Sequence, residues 1–310
     1  MSRSYEPEPS VMAQQGPHLD TSEIQFHQIV VATDFSQPAE TALEQASITA
    51  HLFGAKLCMV HAITPPLYEV EGVVVSADIL QADLDASTND LQELIRRRPD
   101  LRALRPKVRV GYADPVRFIE QVSREEKADL IVVGSHGASG LERLALGSVA
   151  EAVLRKATCP VLITGPRCKP ERHPFRSVVF ATDLKSTGLR GAQYATGLAE
   201  RFHAKLTLLH VMDRKFVPPG LEPEIVRDRI REHLQQLLPS DLDRYCQSHI
   251  QLEYGNPAEV ISAVAQAKCA SLVVVGLRAG AFADHAPWST LSHVIREIPC
   301  PMLGVRGHLV

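Results

Sequence analysis

The sequence predicts an α/β protein made of two tandem domains, each a five-stranded parallel sheet covered on both faces by helices. Two observations carry that prediction. The first is an internal repeat: QIVVATDFS (Gln28 to Ser36) recurs as SVVFATDLK (Ser177 to Lys185), and AKLCMVHAI (Ala55 to Ile63) recurs as AKLTLLHVM (Ala204 to Met212). VRVGYADPVRFIEQV (Val108 to Val122) aligns with IQLEYGNPAEVISAV (Ile250 to Val264), ADLIVVGSHG (Ala128 to Gly137) with ASLVVVGLRA (Ala270 to Ala279), and TCPVLIT (Thr158 to Thr164) with PCPMLGV (Pro299 to Val305). Order and spacing are kept, so a unit of about 140 residues has been duplicated. The second is that each unit alternates short apolar, β-branched runs with amphipathic stretches, the pattern of buried parallel strands joined by crossover helices.

Residues 1–23 carry prolines, glycines and scattered charge with few aliphatic residues, too little apolar surface to offset their ordering entropy, and are expected to be a flexible tail. The first domain is then expected over 24–165, a Pro/Arg/Lys linker over 166–174 and the second domain over 175–310. In the first unit, strands are expected near Ile29 to Thr33, Leu57 to Ala62, Lys107 to Gly111, Leu130 to Gly134 and Val161 to Thr164. Four helices are expected between them, near Pro38 to Leu52, Ala77 to Arg97, Pro115 to Lys127 and Ser148 to Lys156. Pro115 and Pro257 stand where the first turn of a helix tolerates proline.

The stretch that points to function follows the fourth strand. Gly134, Gly137 and Gly147 punctuate a loop in which the backbone can bend sharply and approach a ligand. Ser148-Val149-Ala150-Glu151 then has the form of a capping box with Ser148 as the N-cap. A strand, a glycine loop and a helix N-terminus in that order direct unpaired N–H groups and the positive end of a helix dipole at one point, which suits a phosphate. No G-x-x-x-x-G-K-[ST] occurs, and no G-x-G-x-x-G follows a strand. The spacing present is Gly134, two residues, Gly137, nine residues, Gly147, Ser148, together with Ser135, Gly140, Leu141, Arg143, Leu146, Val149, Ala150 and Cys159-Pro160-Val161. In these positions the chain resembles the ATP-binding universal stress proteins.

That resemblance implies a doubly wound, flavodoxin- or Rossmann-like domain of the adenine nucleotide alpha hydrolase type, with strand order 3-2-1-4-5. Ligands of such sheets bind beyond the carboxyl ends of the strands at the switch point. It further implies a nucleotide site in the first unit, with Ala32, Thr33 and Asp34 on the adenosine side and the main chain of Ala62 at the adenine edge. Gly134, Gly137, Gly147, Ser148 and Val149 would surround the phosphates of ATP, ADP or AMP, and Mg2+ would be held through the phosphates. Arg143 is either a phosphate ligand or a solvated loop residue, and His136 is read as a loop residue. Universal stress proteins pair through their last strand, so the strands after Cys159-Pro160 and Cys300-Pro301 are the expected seam of an intramolecular pseudo-dimer; a further homodimer of chains is left open.

The second unit departs from the motif. Asp183, His210 and Val211 repeat Asp34, His61 and Ala62, and Gly276 keeps the first glycine, but Leu277-Arg278-Ala279-Gly280 displaces the second. Counting back from Cys300 puts Trp288 in the place of Gly147, Ser289 in that of Ser148 and Ser292 in that of Glu151. An indole there is expected to fill the cradle, leaving this unit without bound phosphate, while persistence of the adenosine-side half and occupancy by a different small ligand are left open.

Composition narrows the classes. A formal net charge of -3 with no basic stripe argues against a nucleic-acid partner; Arg96-Arg97-Arg98 at a helix end reads as complementing the dipole. No apolar run reaches the roughly 18 residues of a membrane span and no signal segment is evident, so a cytoplasmic location is expected. The six cysteines show no C-x-x-C pair and no metal-ligand spacing, and Asp83/Asp85 and Asp241/Asp243 read as exposed pairs. The motif lacks the lysine of a P-loop, and no second acidic or basic residue accompanies Asp34 in the strand-end motifs. A stress-response regulator or sensor with at most slow hydrolysis is therefore preferred over a hydrolase, kinase or nucleotidyl transferase, or over a purely structural interaction module.

Overall fold

A computed structural model describes residues 24–64, 77–137, 146–184, 188–212, 222–277 and 285–307. The tail expected over 1–23 lies outside them, as do Gly140, Leu141 and Arg143 of the glycine loop and Arg278 to Gly280 of the second unit. The first unit runs β1 (Gln28–Ala32), α1 (Gln37–Phe53), β2 (Lys56–Ile63), α2 (Ala77–Arg97), α3 (Pro99–Leu104), β3 (Lys107–Tyr112), α4 (Pro115–Glu125), β4 (Leu130–Gly134), α5 (Ser148–Lys156) and β5 (Val161–Thr164). The second runs β6 (Ser177–Ala181), α6 (Gly188–Arg201), β7 (Lys205–Met212), α7 (Pro223–Gln236), β8 (Gln247–Tyr254), α8 (Pro257–Ala267), β9 (Leu272–Leu277), α9 (His285–Glu297) and β10 (Met302–Arg306).

One correction concerns the first unit, which has a fifth helix. Arg98-Pro99 reads in sequence as the end of α2, yet Pro99 opens the six-residue α3, because proline at a first turn costs no amide bond. Each arginine of the run that precedes it is paired with an acid: Arg96 and Arg97 share Glu93, and Arg98 reaches Asp100.

The ten strands form one sheet in the order β3-β2-β1-β4-β5-β10-β9-β6-β7-β8. Each half has the doubly wound order 3-2-1-4-5, all parallel within the half. The halves join where β5 and β10 pair antiparallel, with Leu162 opposite Leu303. The strands bury both faces, as continuous apolar runs such as Ile29-Val30-Val31 require. One buried cluster lies on each side of the sheet, and each contains residues of both units.

The seam is tight. A Cβ on Gly165 would stand 1.9 Å from the Ile295 carbonyl oxygen, and one on Gly304 would stand 2.5 Å from Leu154 Cδ1. On the opposite side of the sheet, Phe53 meets Phe175 and Phe202 edge-on at 5.8 and 5.4 Å, and the Arg201 guanidinium covers Phe53 at 4.7 Å. Such ring contacts add about 0.5–1.5 kcal/mol each beyond the area they bury.

Candidate functional site

β1 and β4 are neighbours that lead into helices on the two sides of the sheet, so a crevice opens beyond their carboxyl ends. A cavity of about 440 Å³ occupies it. Ala32, Thr33, Asp34, Ala62, Gly134, Gly137, Gly147, Ser148 and Val149 all line this cavity. Ala39, Val60, Thr64, Pro115 and Ile119, which no sequence motif marks, stand in the same wall. Pro115 and Ile119 come from α4, which packs over β2, and only the three-dimensional crossover brings them in.

The β1 side of the crevice is held by a turn after that strand. Thr33 Oγ1 accepts from the Phe35 amide, and Phe35 adopts a left-handed φ of 62°, which swings the chain towards α1. Ser36 is the N-cap of α1 and accepts from the Ala39 amide. Asp34 is therefore not the cap. Its Oδ1 accepts from the amide and hydroxyl of Ser36, an Asx-type turn that orients the carboxylate. His61 Nδ1 donates to the Thr33 carbonyl at 2.8 Å, and its ring packs on Phe35 at 4.7 Å between centroids. The same His–Thr bond recurs in the second unit as His210 to Thr182.

The β4 side of the crevice is built by closure of the glycine loop. Ser135 donates its amide to Thr164 and accepts at its carbonyl from the Gly147 amide at 2.8 Å, so the loop leaves and returns beside one buried residue. The expected capping box does not form. Gly147 is the N-cap of α5 with no side-chain cap bond, Ser148 is the first helical residue, and Glu151 instead pairs with Arg155 one turn on at 2.6 Å. An ion pair at i,i+4 competes well for that carboxylate. The consequence favours a ligand. The first intrahelical bond is Glu151 N–H to Gly147 O, so the amides of Ser148, Val149 and Ala150 precede the ladder and face the cavity end of the dipole.

A side-chain carbon at Gly137 or Gly147 would crowd the wall of the crevice. A Cβ at Gly137 would lie 2.8 Å from Asp34 Oδ2, and one at Gly147 would lie 3.0 Å from the Ser135 carbonyl. His136 Nδ1 bonds Ser135 Oγ at 2.8 Å, and its Nε2 is buried without a partner. Among the described lining residues Asp34 is the single acid, and none is Lys or Arg. Asp83 and Asp85 accept from Tyr112 and Gln81, and no metal-binding cluster of three or more His, Cys, Asp or Glu occurs among the described residues.

The second unit requires a correction. α9 begins at His285, one turn before Ser289, the counterpart of Ser148. Ser289 and its successors lie inside the helix, where their amides serve the i→i−4 ladder. The indole of Trp288 packs at the seam, with the Arg155 guanidinium of the first unit 4.2 Å from its ring centroid.

The fold and site thus define a duplicated, doubly wound α/β protein with a glycine-walled crevice at the switch point of its first half. A sequence profile of the universal stress protein family matches residues 25–165 and 174–306. The chain belongs to that family. It is 26% identical over 287 residues to universal stress protein Rv2623 of Mycobacterium tuberculosis, covering 91% of this chain and 97% of that one. Universal stress protein MJ0531 of Methanocaldococcus jannaschii is 28% identical over 138 residues, 44% of this chain and 81% of its own length. The crystal structure of a universal stress protein from Archaeoglobus fulgidus superposes with a TM-score of 0.67 at 22% identity, over 90% of this chain and 96% of that one. No described helix is long and apolar enough to cross a membrane.

Proposed function

We propose that the first unit binds one adenine nucleotide, ATP or its ADP or AMP relative, and that occupancy of this site, with at most slow hydrolysis, is what the protein signals in a stress response. The observation that carries this reading is the meeting of Asp34 with the glycine loop and the open amides of α5 around one cavity. The residues fit such a ligand. Apolar Val60, Ala62, Pro115 and Ile119 offer a wall for a flat base, Asp34 accepts from ribose hydroxyls, and glycines leave room where a Cβ would intrude. The amides of Ser148, Val149 and Ala150 and the Ser148 hydroxyl donate to phosphate oxygens. When bound, Mg2+ would rest on the phosphates and neutralise their charge.

Regulation is favoured over enzymology because, among the described lining residues, no Lys or Arg clamps a transferring phosphoryl group and no second acid joins Asp34 to position a nucleophile. The second unit, with its amides drawn into α9, acts as a partner domain. Native mass spectrometry of the purified chain is expected to show a co-purifying adenine nucleotide. Steady-state assay with ATP and Mg2+ is expected to give turnover orders of magnitude below the ~1–1000 per second of ordinary enzymes. A chain that binds no adenine nucleotide at any concentration overturns the reading; turnover in the ordinary range moves it to the enzyme class.

A further inference from the structure

We propose that the second unit positions the phosphate loop of the first, through the hydroxyl of Ser292. The proposal rests on the nucleotide reading above and adds a control that neither unit holds alone. Leu146, the residue before the Gly147 cap, donates its amide to Ser292 Oγ at 2.9 Å across the seam. Gly147 is thereby held from two sides, by Ser135 of its own unit and through Leu146 by α9 of the other. The rest of α5 is gripped by the same unit. Trp288 stacks on Arg155, Leu154 sits on Gly304, and the Arg306 guanidinium donates to the carbonyls of Arg155 and Ala157, where it also complements the dipole.

The arrangement is one-sided, and the sequence explains why. Ser148 stands eleven residues before Cys159, and Ser289 stands eleven before Cys300, so Leu146 corresponds to Pro287 and Ser292 to Glu151. Pro287 has no amide proton to donate, and Glu151 is engaged with Arg155. The mirror contact is chemically impossible. Two changes that separate the second unit from the phosphate motif, tryptophan for glycine at 288 and serine for glutamate at 292, fall where those side chains meet α5 and the loop of the first unit. A main-chain cradle binds phosphate well only when its amides are already aimed, since ordering them on binding subtracts from affinity. Ser292 supplies that order from outside the unit. By reciprocity, phosphate bound at the cradle stabilises the seam.

The test uses the full chain and two probes, ATP with Mg2+ and adenosine, titrated calorimetrically into wild type, Ser292→Ala and Ser292→Thr. Loss of one hydrogen bond to the loop is expected to weaken ATP binding about tenfold in Ser292→Ala. Adenosine affinity should stay within about twofold, because the adenosine-side half does not touch α9, and Ser292→Thr should restore ATP binding by keeping the hydroxyl. Hydrogen exchange at the Leu146 amide should quicken in Ser292→Ala while β4 stays protected. Equal ATP affinity in wild type and Ser292→Ala overturns the proposal and leaves the nucleotide reading intact. So does parallel loss of ATP and adenosine binding, which marks general damage. Failure of wild type to bind either probe overturns both.

Discussion

The α-carbon of Gly137 faces the carboxylate of Asp34 so closely that a Cβ there would stand 2.8 Å from Oδ2. Two segments about a hundred residues apart in sequence thus form opposite walls of a single slot, and the slot closes with one added carbon. Gly137 is exposed, with no left-handed φ to protect, so filling the slot should leave folding alone. Gly137→Val is expected to lower ATP affinity by on the order of 100-fold or more while the thermal midpoint moves by less than about 3 °C. Calorimetric titration beside circular-dichroism melting checks this. An unfolded variant, or one that binds normally, contradicts it.

Gly134 should behave in the opposite way. A Cβ there would meet the Pro38 carbonyl oxygen at 2.8 Å and the Ala39 nitrogen at 3.2 Å, both backbone atoms of the first turn of α1 that cannot rotate aside. Gly134→Ala is expected to cost about 1–3 kcal/mol, the usual range for overpacking a filled core. Urea unfolding followed by far-UV dichroism measures the loss. A midpoint equal to wild type would mean that α1 shifts freely over β4.

Stoichiometry separates the two units. With the counterparts of the Ser148 and Val149 amides drawn into the second turn of α9, only the first unit offers an open cradle among the described residues. One nucleotide per chain is expected in equilibrium titration, and Gly147→Trp should reduce this to none. Two sites of equal affinity would refute the reading of the second unit as empty of phosphate.

Much of this architecture is legible in the order of residues alone. Strands β4 and β5 and helices α2 and α5 lie where apolar runs and helical patterns put them, because buried parallel strands leave uninterrupted β-branched signatures. What the sequence does not reveal depends on competition or on distance. S-x-x-E before a helix signals a capping box, but here Arg155 takes the glutamate and Ser135 claims Gly147. Spacing alone puts Trp288 in the cradle of its own unit, whereas its indole meets Arg155 of the other, because spacing gives position along a helix and not the direction of a side chain across a seam. The bond from Leu146 to Ser292 joins residues 146 apart, and its one trace in the sequence is that Leu146 aligns with a proline.

Thiol chemistry tests the packing independently of any ligand. Cys58, Cys168, Cys246 and Cys300 are buried, Cys159 is half-buried and Cys269 is exposed; all six are free. Burial, with smaller contributions from Glu126 at Cys58 and Asp129 at Cys159, pushes those two thiols from the ordinary 9.0 to about 12. Burial likewise raises Cys168 to about 12, Cys246 to about 11 and Cys300 higher still. Because the thiolate is the nucleophile, an aromatic disulfide reagent at pH 8 should label Cys269 rapidly and the other five only as the chain unfolds. The same shifts fix the sign of the alkaline response. A thiol whose folded pKa is raised loses its proton first in the unfolded chain, so the contribution of Cys58 to stability is constant below about pH 9 and declines as pH rises towards 12. Urea midpoints between pH 7 and 11 should fall along that course, and Cys58→Ala should make the alkaline decline shallower. A slope unchanged by that substitution would show that the Cys58 thiol titrates alike in both states and is not sealed from water as the fold requires.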